Sequence, residues 1–384
     1  MKLTVNQTSL ATAISHVERA VSRRSTMPIL ANILLEASDG KLKVSATNLS
    51  ISITCWINAK VSKDGATTIP AKLLSEFVSR MPRDNEIDLK LIKKTESLEF
   101  ICGGSTAKIK GMPADEFPIE SNIEDKEVNT IQLHPETLSE GLSLTMFAAS
   151  NDESRAALTN IKFSKVGKEF LLAATDGYRL STYNFEVDDD GDIDVLVPSS
   201  SLLPVTKACE GEGDAVSISA SNRQIRFVFE YEDGINSILK TEIVSQLTDA
   251  NYPDYTAIIP ETHSTRAIVN TAELLKAARV ASLFARDNAN NVKVAFDVSE
   301  PKHTVVIEAT SAERGNSRTE VSAKVIEGDS IAISFDCRYL IDALDKIQSP
   351  FVIIEALSPS RPAAIRQDGD DSFLHVLMPM HRAE

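Results

Sequence analysis

The chain repeats one pattern of residues three times at long range. The segment Leu3–Leu10 returns in outline at Ile131–Leu138 and at Ala267–Leu274, and each copy leads into a helical pattern. The first two copies start 128 positions apart and the last two 136 positions apart. Solenoid repeats are roughly 20–50 residues long, whereas this spacing is the size of a small domain. The sequence therefore predicts three tandem copies of one fold and a symmetric object rather than a pocket enzyme.

Other anchors recur with nearly the same spacing. A threonine that ends an apolar run stands at Thr47, Thr175 and Thr310, with spacings of 128 and 135 residues. A second helix start follows Pro70 and Pro198, and a similar start recurs in the third copy. Several anchors in register favour duplication over a chance likeness of common strand–turn–helix patterns.

Each repeat is predicted to combine two helices with a strand-rich remainder. In the first repeat, apolar residues recur at helical spacing from Leu10 to Val21, and a second helix is expected over about 71–80. Alternating segments, Ile29–Leu35 among them, are expected to be strands. The predicted class is α+β, with helices on one side of a sheet. Polar stretches at 119–129 and 260–265 separate three predicted domains at 1–127, 128–262 and 263–384.

Composition limits the class of protein. The chain is 42% hydrophobic and 25% charged, as folded soluble proteins are, and no apolar run reaches the roughly 18 residues of a membrane helix. The start of the chain lacks an apolar signal core, and its four cysteines show no C-x-x-C spacing, which predicts a reduced cytoplasmic protein. A net charge of −15 argues against a generally basic nucleic-acid binder, but it allows DNA binding on one basic surface.

No motif of a catalytic or metal site stands out. Phosphate-binding and nucleophile-elbow glycine motifs are absent, and the six histidines are isolated. The acidic run Asp188–Asp194 has no glycine or glutamate where a calcium loop needs them. Asp176 could be imagined as a nucleophile beside Arg179, but the other repeats have Asn48 and Ser311 at its position, which favours a structural turn.

Three segments are unusual for an ordinary surface: Thr175–Leu180, Asn251–Tyr255 and Met378–Met380. Methionines beside a proline are adaptable apolar material that suits a binding surface, but they could equally finish a last strand and be buried. Together with Pro28–Leu30 and the threefold repeat, these segments resemble the bacterial β sliding clamp family, the processivity subunit of DNA polymerase III. The resemblance covers the whole chain.

The resemblance implies a head-to-tail homodimer that closes as a ring around duplex DNA, with helices lining the hole. It implies a non-catalytic protein without cofactor or metal, located in the cytoplasm with the nucleoid and not on a membrane. The implied partners are double-stranded DNA bound without sequence specificity, the alpha subunit of DNA polymerase III, the delta subunit of the clamp loader, and other clamp-binding polymerases and repair proteins.

The resemblance also implies three sets of residues. A peptide pocket between the second and third domains would be lined by Arg155, Leu158, Thr175, Gly177, Tyr178, Arg179, Leu180, Pro253, Ile258, Pro362, Val376, Met378, Pro379 and Met380. DNA would be met by Arg19, Arg23, Arg24, Lys72, Arg80, Lys207, Lys276, Arg279 and Arg338. The dimer seam would involve Ala107, Ile109, Leu283 and Phe284.

The chain departs from the family pattern at four places. Ser199–Ser201 stands where many clamps have basic residues, and Ala257 and His381 stand where arginine is common at the pocket rim. Ala107 replaces a larger aromatic residue at the seam. Two other functions remain as alternatives: a hydrolase or transferase that uses Asp176 and Arg179, and a repeat scaffold that binds peptides but not DNA.

Overall fold

A computed structural model describes residues 1–22, 26–118, 130–189, 191–211, 213, 215–231, 238–299 and 303–380. The predicted DNA contacts Arg23 and Arg24 and the rim residue His381 lie outside these residues. The chain divides into two compact units. Unit 1 joins Met1–Ser139 with Val187–Asp249, and unit 2 joins Glu140–Glu186 with Ala250–Glu384.

In the described parts of the chain, each repeat contains two α-helices. They are α1 (Gln7–Val17), α2 (Ala71–Ser79), α3 (Pro135–Thr145), α4 (Ser199–Cys209), α5 (Thr271–Ala285) and α6 (Cys337–Leu344). The side chains of Asn6 and Asn270 cap α1 and α5 by accepting a hydrogen bond from a backbone N–H of the first turn. Helix α1 then buries Leu10 and Ile14 on the face that the spacing predicts.

Strands make up most of the remainder. The first part of the chain holds β1 (Lys2–Asn6), β2 (Asn32–Ser38), β3 (Lys41–Thr47), β4 (Ile51–Asn58), β5 (Lys60–Lys63), β6 (Gly65–Pro70), β7 (Glu86–Ile92), β8 (Ser97–Cys102) and β9 (Ser105–Lys110). The middle part holds β10 (Thr130–Leu133), β11 (Asn160–Val166), β12 (Glu169–Thr175), β13 (Arg179–Glu186), β14 (Ile193–Pro198), β15 (Val216–Ala220), β16 (Gln224–Glu230) and β17 (Ile238–Gln246). The last part holds β18 (Thr265–Asn270), β19 (Asn291–Asp297), β20 (Thr304–Ser311), β21 (Gly315–Gly328), β22 (Ile331–Asp336), β23 (Phe351–Ala356), β24 (Ala363–Gln367) and β25 (Asp370–Leu377).

Unit 1 contains two antiparallel sheets. One has the strand order β5-β1-β7-β8-β9, and the other has the order β10-β15-β16-β17-β4-β3-β2-β6. The second sheet joins two repeats, because β4 of the first pairs with β17 of the second and sets Ile53 opposite Ile243.

The strands of unit 2 come from the second and third repeats and follow one continuous order. That order is β11-β12-β13-β25-β24-β23-β18-β21-β20-β19-β22. Here β13 pairs with β25, so that Arg179 lies opposite Leu377 and Ser181 opposite His375. The division into compact units therefore cuts through the second repeat, because its strands β17 and β13 pair with different neighbouring repeats.

The predicted strand over Ile29–Leu35 is wrong at its start. Pro28–Ala31 forms a 3-10 turn, and β2 begins only at Asn32. Pro28 stands at the first position of that turn, where its fixed φ suits a helical start and its missing N–H is not needed. The prediction also omitted β5 and β6, which have short or mixed burial patterns.

The four cysteines are free and buried, which confirms the expectation that the apolar surroundings of Cys55 and Cys102 support for those two residues. Burial raises the pKa of the Cys55 thiol to about 12, so this thiol stays protonated at neutral pH. Within the described residues, no helix is both long enough and apolar enough to cross a membrane.

Candidate functional site

Four of the predicted pocket residues lie in the turn Thr175–Arg179, which joins β12 to β13. Thr175 donates its hydroxyl hydrogen to the carbonyl of Arg179 at 2.6 Å and accepts the N–H of Gly177 at 3.1 Å. One oxygen of Asp176 accepts the N–H groups of Tyr178 and Arg179. These are the contacts of a turn closed by its own side chains. Asp176 therefore acts as a structural group, as the sequence predicted.

Arg179 is held by groups on every side. Its guanidinium lies 3.1 Å from Asp176 and 2.7 Å from Asp342 of α6, and it donates to the carbonyl of Phe147 at 2.6 Å. The ring of Tyr339 covers the guanidinium at 4.4 Å. The residue is only 8% exposed. Arg179 thus joins the turn to α6 and fixes the position of the turn rather than presenting a free donor.

The end of β25 forms the wall beside this turn. The N–H of Met378 donates to the carbonyl of Tyr178 at 3.0 Å, and the N–H of Met380 donates to the carbonyl of Ser334 at 2.8 Å. Met378, Pro379 and Met380 are partly exposed after the buried end of the strand. The alternative in which the methionines finish the last strand and are buried is therefore wrong, because β25 ends at Leu377 and both methionines keep access to solvent.

An apolar cluster lies under the turn. Leu180, Ala364, Leu374 and Val376 form it. Tyr255, Ile258 and Ile259, which are only partly buried, pack against it. Tyr255 ends the predicted segment Asn251–Tyr255, and the two isoleucines follow it. The hydroxyl of Tyr252 donates to the carbonyl of Ala173 at 3.4 Å and ties that segment to β12.

Arg155 borders the turn from another side. Its guanidinium would lie 3.4 Å from a side-chain carbon placed on Gly177, so the glycine leaves room for it. Gly177 also has φ +90°, a conformation that favours glycine. Arg155 is otherwise held loosely by Ser150 at 3.2 Å and Asp152 at 3.5 Å. An exposed guanidinium with such weak partners can turn to a ligand.

The fourteen predicted pocket residues all lie in unit 2, but they differ in exposure. Thr175, Arg179, Leu180 and Val376 are buried and form the floor and its supports. Arg155, Gly177, Tyr178 and Pro253 are exposed, and Leu158, Ile258, Pro362, Met378, Pro379 and Met380 are partly exposed. The sequence missed Tyr255, Ile259, Tyr339 and Asp342, although Tyr255 belongs to a segment that it marked as unusual.

A buried histidine lies directly behind the floor. His375 is fully buried, its Nδ1 lies 2.6 Å from Ser181 Oγ, and its Nε2 has no partner among the described residues. Burial, and secondarily the nearby Arg179, lower the pKa of this imidazole to about 3. The ring is therefore neutral at physiological pH. The sequence gave no sign of it, because its environment comes from a strand of another repeat.

The predicted DNA contacts of unit 1 lie on or beside its helices. Arg19 follows α1, Lys72 belongs to α2, Arg80 directly follows α2, and Lys207 belongs to the last turn of α4. His16, which the sequence analysis did not select, lines a small cleft with Arg19 and Lys207. Burial, and then Arg19, lower the pKa of His16.

Several of these cations already have an acidic neighbour. Lys207 lies 2.6 Å from Glu210, and Arg80 lies 3.6 Å from Glu76. In unit 2, Arg338 lies 2.7 Å from Asp336, and Arg279 pairs with Asp345. Lys276 and Lys72 are exposed and form no ion pair within the described part of the chain.

The predicted seam residues lie at edges of both units. Ala107 and Ile109 belong to β9, the last strand of its sheet. Leu283 is 51% exposed near the end of α5, whereas Phe284 packs partly against the core of unit 2. In the described residues, no group of three or more His, Cys, Asp or Glu is arranged to hold a metal ion.

Three protein-family models, one for each domain of a single subunit, match successive parts of this chain. The N-terminal domain of the DNA polymerase III beta subunit matches residues 1–122, the central domain matches 132–254 and the C-terminal domain matches 256–381. The beta sliding clamp of Synechococcus elongatus is 31% identical, and that of Bacillus subtilis is 30% identical, each over 99% of both chains. The crystal structure of the Bacillus subtilis sliding clamp aligns with a TM-score of 0.89 and 28% identity, covering 100% of this chain and 99% of that one.

Proposed function

This chain belongs to the DNA polymerase III beta subunit family, and from that premise we propose which of its surfaces hold DNA and partner proteins. The chain is a DNA sliding clamp, a non-catalytic processivity factor built of three clamp domains. Domain limits at 1–127, 128–262 and 263–384 are part of the proposal.

Two copies are proposed to close a ring around duplex DNA, joined head to tail. The six helices of each copy would line the hole. Lys72, Lys276 and Arg19 would be the freest cations there, and Arg80, Lys207, Arg279 and Arg338 would act while paired with carboxylates. Arg23 and Arg24 complete the proposed set. Each fully neutralised phosphate strengthens binding and its salt dependence, so partly compensated cations favour sliding over tight holding.

Partner proteins are proposed to bind at the turn Thr175–Arg179, and the apolar cluster beneath it is the observation that carries this proposal. Four aliphatic residues form the cluster, and three partly buried residues cover it. Arg155, which lies beside Gly177, and the exposed Tyr178 are the proposed polar anchors. An apolar floor with a few polar groups at its rim suits a short peptide with apolar anchors.

The covering residues would have to move aside for such a peptide. Leu180 and Val376 are fully buried in the free protein, so a peptide can meet them only if Ile258, Tyr255 or Met378 shifts. Methionine has three rotatable bonds and adapts its shape at little cost. The proposed ligands are a terminal or internal peptide of the polymerase alpha subunit, the delta subunit of the clamp loader, and other clamp-binding polymerases and repair proteins.

Met378→Ala tests the pocket most cleanly. The probe is a fluorescein-labelled peptide taken from the alpha subunit of the same organism, titrated with clamp and followed by fluorescence anisotropy. The substitution removes a thioether side chain that the bound peptide would cover, and this loss is expected to weaken binding at least about tenfold. Val166→Ala is the matched control, because Val166 is an exposed apolar residue of unit 2. An unchanged affinity in Met378→Ala would remove the methionine from the site.

The buried floor is less suitable for mutation. Leu180→Asp would place a carboxylate in a fully buried position and would unfold the region whether or not peptides bind there. The test of Met378→Ala also requires that this variant dimerises as well as the unmodified chain, because a loss of peptide binding then cannot be due to unfolding.

A further inference from the structure

The third repeat contains a second copy of the arginine turn. Ser311 Oγ accepts the N–H groups of Glu313 and Arg314, as Asp176 does for the two residues that follow Gly177. Arg314 donates to the carbonyl of Leu283 at 3.4 Å, as Arg179 donates to the carbonyl of Phe147. Leu283 follows Phe147 by 136 positions, which is also the spacing between the starts of α3 and α5, although Phe147 lies in a 3-10 turn directly after α3. The two arginines thus occupy equivalent positions.

Their surroundings differ in one respect. Arg179 receives Asp342 and the ring of Tyr339 from α6 of the next repeat, and its side chain is 9% exposed. Arg314 lies 3.1 Å from Asp287 of its own repeat, and its side chain remains 49% exposed. Within the described residues, no carboxylate or aromatic ring from a following helix reaches Arg314 as Asp342 and Tyr339 reach Arg179.

The threefold repeat identifies the helix that could take this place. Helix α2 of the first repeat is the equivalent of α6, with the start of α6 266 positions after that of α2. By this spacing Asp342 corresponds to Glu76, and Tyr339 corresponds to Leu73. Both are accessible, since the Glu76 side chain is 48% exposed and Leu73 is 50% exposed. An acid and a large apolar residue therefore stand where the internal junction has an acid and an aromatic ring.

The strands independently indicate that the first repeat of one copy lies beside the third repeat of another. In the first repeat, the N–H of Met112, just after β9, donates to the carbonyl of Thr68. The N–H of Thr248, just after β17, donates in the same way to the carbonyl of Leu196. Met112 and Thr248 are therefore equivalent positions in the two repeats. Ile109 and Ser245, which stand three residues before them, are then equivalent as well.

The third repeat extends this equivalence. There the N–H of Met380 donates to the carbonyl of Ser334, and counting back three residues leads to Leu377. Leu377 lies opposite Arg179 in the sheet of unit 2. The residue that takes this place in β9, Ile109, should therefore lie opposite Arg314 of another copy.

Both edges are open for this pairing within the described residues. Strand β9 ends its sheet, with β8 as its neighbour. Strand β21 pairs with β20 along Gly315–Ser322, and its contact with β18 begins only at Ala323. An antiparallel strand can therefore add to each edge.

We propose that the seam between two copies repeats the internal Arg179 junction, with Arg314 paired to Glu76 of the second copy. Leu73 of that copy covers the guanidinium, and Ile109 lies opposite Arg314 in the added sheet. The inference rests on the dimer of the proposed function and names the contacts that hold it. Local pairs compete only weakly, because Glu76–Arg80 and Arg314–Asp287 are exposed and screened by solvent.

Charge reversal tests the ion pair. Glu76→Arg and Arg314→Glu are each expected to raise the dissociation constant of the dimer at least about tenfold, measured by analytical ultracentrifugation, because like charges then meet at the seam. The double variant should regain most of the loss. Glu116→Arg and Arg361→Glu, at exposed positions elsewhere, serve as controls.

The possible outcomes separate this inference from the dimer itself. A monomeric unmodified chain at micromolar concentration would overturn both. A stable dimer whose affinity is unaffected by the single reversals, or a double variant no better than the singles, would overturn the ion pair alone. Circular dichroism must show that the variants are folded.

A disulfide tests the register. With Ile109 opposite Arg314, Ala107 lies opposite Asn316, at a cross-strand distance that a disulfide can span. Ala107→Cys with Asn316→Cys should yield covalent dimers on mild oxidation, while Lys108→Cys with Asn316→Cys should not. Equal cross-linking of both pairs, or none in a folded dimer, would overturn the register.

Discussion

The strand pairs β4–β17 in unit 1 and β13–β25 in unit 2 share one backbone geometry but differ in whether the facing side chains are apolar or polar. Each joins neighbouring repeats in antiparallel register. In unit 1, Ile53 lies opposite Ile243, whereas in unit 2 the equivalent positions hold Ser181 and His375. The turn before β4 is closed by Asn48 as the turn before β13 is by Asp176, but it ends at an isoleucine rather than an arginine.

The difference shows that the duplicated backbone tolerates a change from apolar to polar contacts if each polar group finds a partner. Arg179 has two carboxylates, a carbonyl and an aromatic ring. An isoleucine needs none of these. The site for partner proteins is proposed at the junction that became polar, beside a floor that remained apolar. The proposed binding site therefore lies where the second and third repeats depart from the pattern of the first.

The largest expected effect comes from replacing Arg179, at the β13–β25 junction, with isoleucine, the residue at the equivalent position of the β4–β17 junction. Arg179→Ile is expected to lower the free energy of unfolding by about 3–5 kcal/mol, because it removes one partner of a buried ion pair and leaves Asp176 without its guanidinium. Urea denaturation followed by circular dichroism measures this loss.

Adding Asp176→Asn completes the exchange, because Asn48 fills that position in the first repeat. The double variant should be more stable than Arg179→Ile alone, since no buried charge remains unpaired at the turn. If the second substitution only adds to the loss, charge compensation does not explain the junction.

A pH dependence should distinguish the two junctions next. His375 has a pKa of about 3 in the folded protein and an ordinary value near 6.5 when unfolded. Protons therefore bind preferentially to the unfolded chain between these values, and stability falls as the pH falls. The slope from this group is up to about 1.4 kcal/mol per pH unit.

The measurement compares urea denaturation at pH 6.5 and pH 5, above the range where most carboxylates titrate. Ser181→Ile with His375→Ile, which copies the pair in unit 1, should show a shallower dependence by up to about 2 kcal/mol across this interval. Parallel curves for the two proteins would rule out a neutral buried imidazole.

A smaller effect is expected at the residue that follows Asp176 in one turn and Asn48 in the other. Gly177 has φ +90°, and the equivalent Leu49 has φ +75°. Gly177→Leu should cost about 1–2 kcal/mol through the strained backbone, and it should displace Arg155 and weaken peptide binding.

Leu49→Gly is the reciprocal change and should alter stability by less than about 1 kcal/mol, because relief of strain and loss of chain rigidity oppose each other. Thermal unfolding of the two variants provides the comparison. A larger effect at Leu49 than at Gly177 would contradict it.

Much of the fold could be predicted because the repeat anchors mark local structure. The helix caps, the apolar faces and the turn at Asp176 depend on residues close in sequence. The 3-10 start at Pro28 was missed because an apolar run with a proline suits both a strand edge and a helical turn.

The site could be predicted only in part. Periodicity cannot show that β13 pairs with β25, or that Asp342 reaches Arg179 across 163 positions. Nor does it show that Leu180 and Val376 are buried while Met378 is accessible. These facts depend on which repeats lie side by side, and so does the environment of His375.

The most direct test of the account is retention on DNA without tight binding. The clamp is loaded onto a nicked circular duplex by the clamp loader of the same organism and passed through a sizing column at high salt, which removes proteins held by phosphate contacts. The account predicts that clamp elutes with the circle and is lost after a single restriction cut. Equal retention on the cut and the intact DNA, or no retention on circles, would contradict a closed ring that slides.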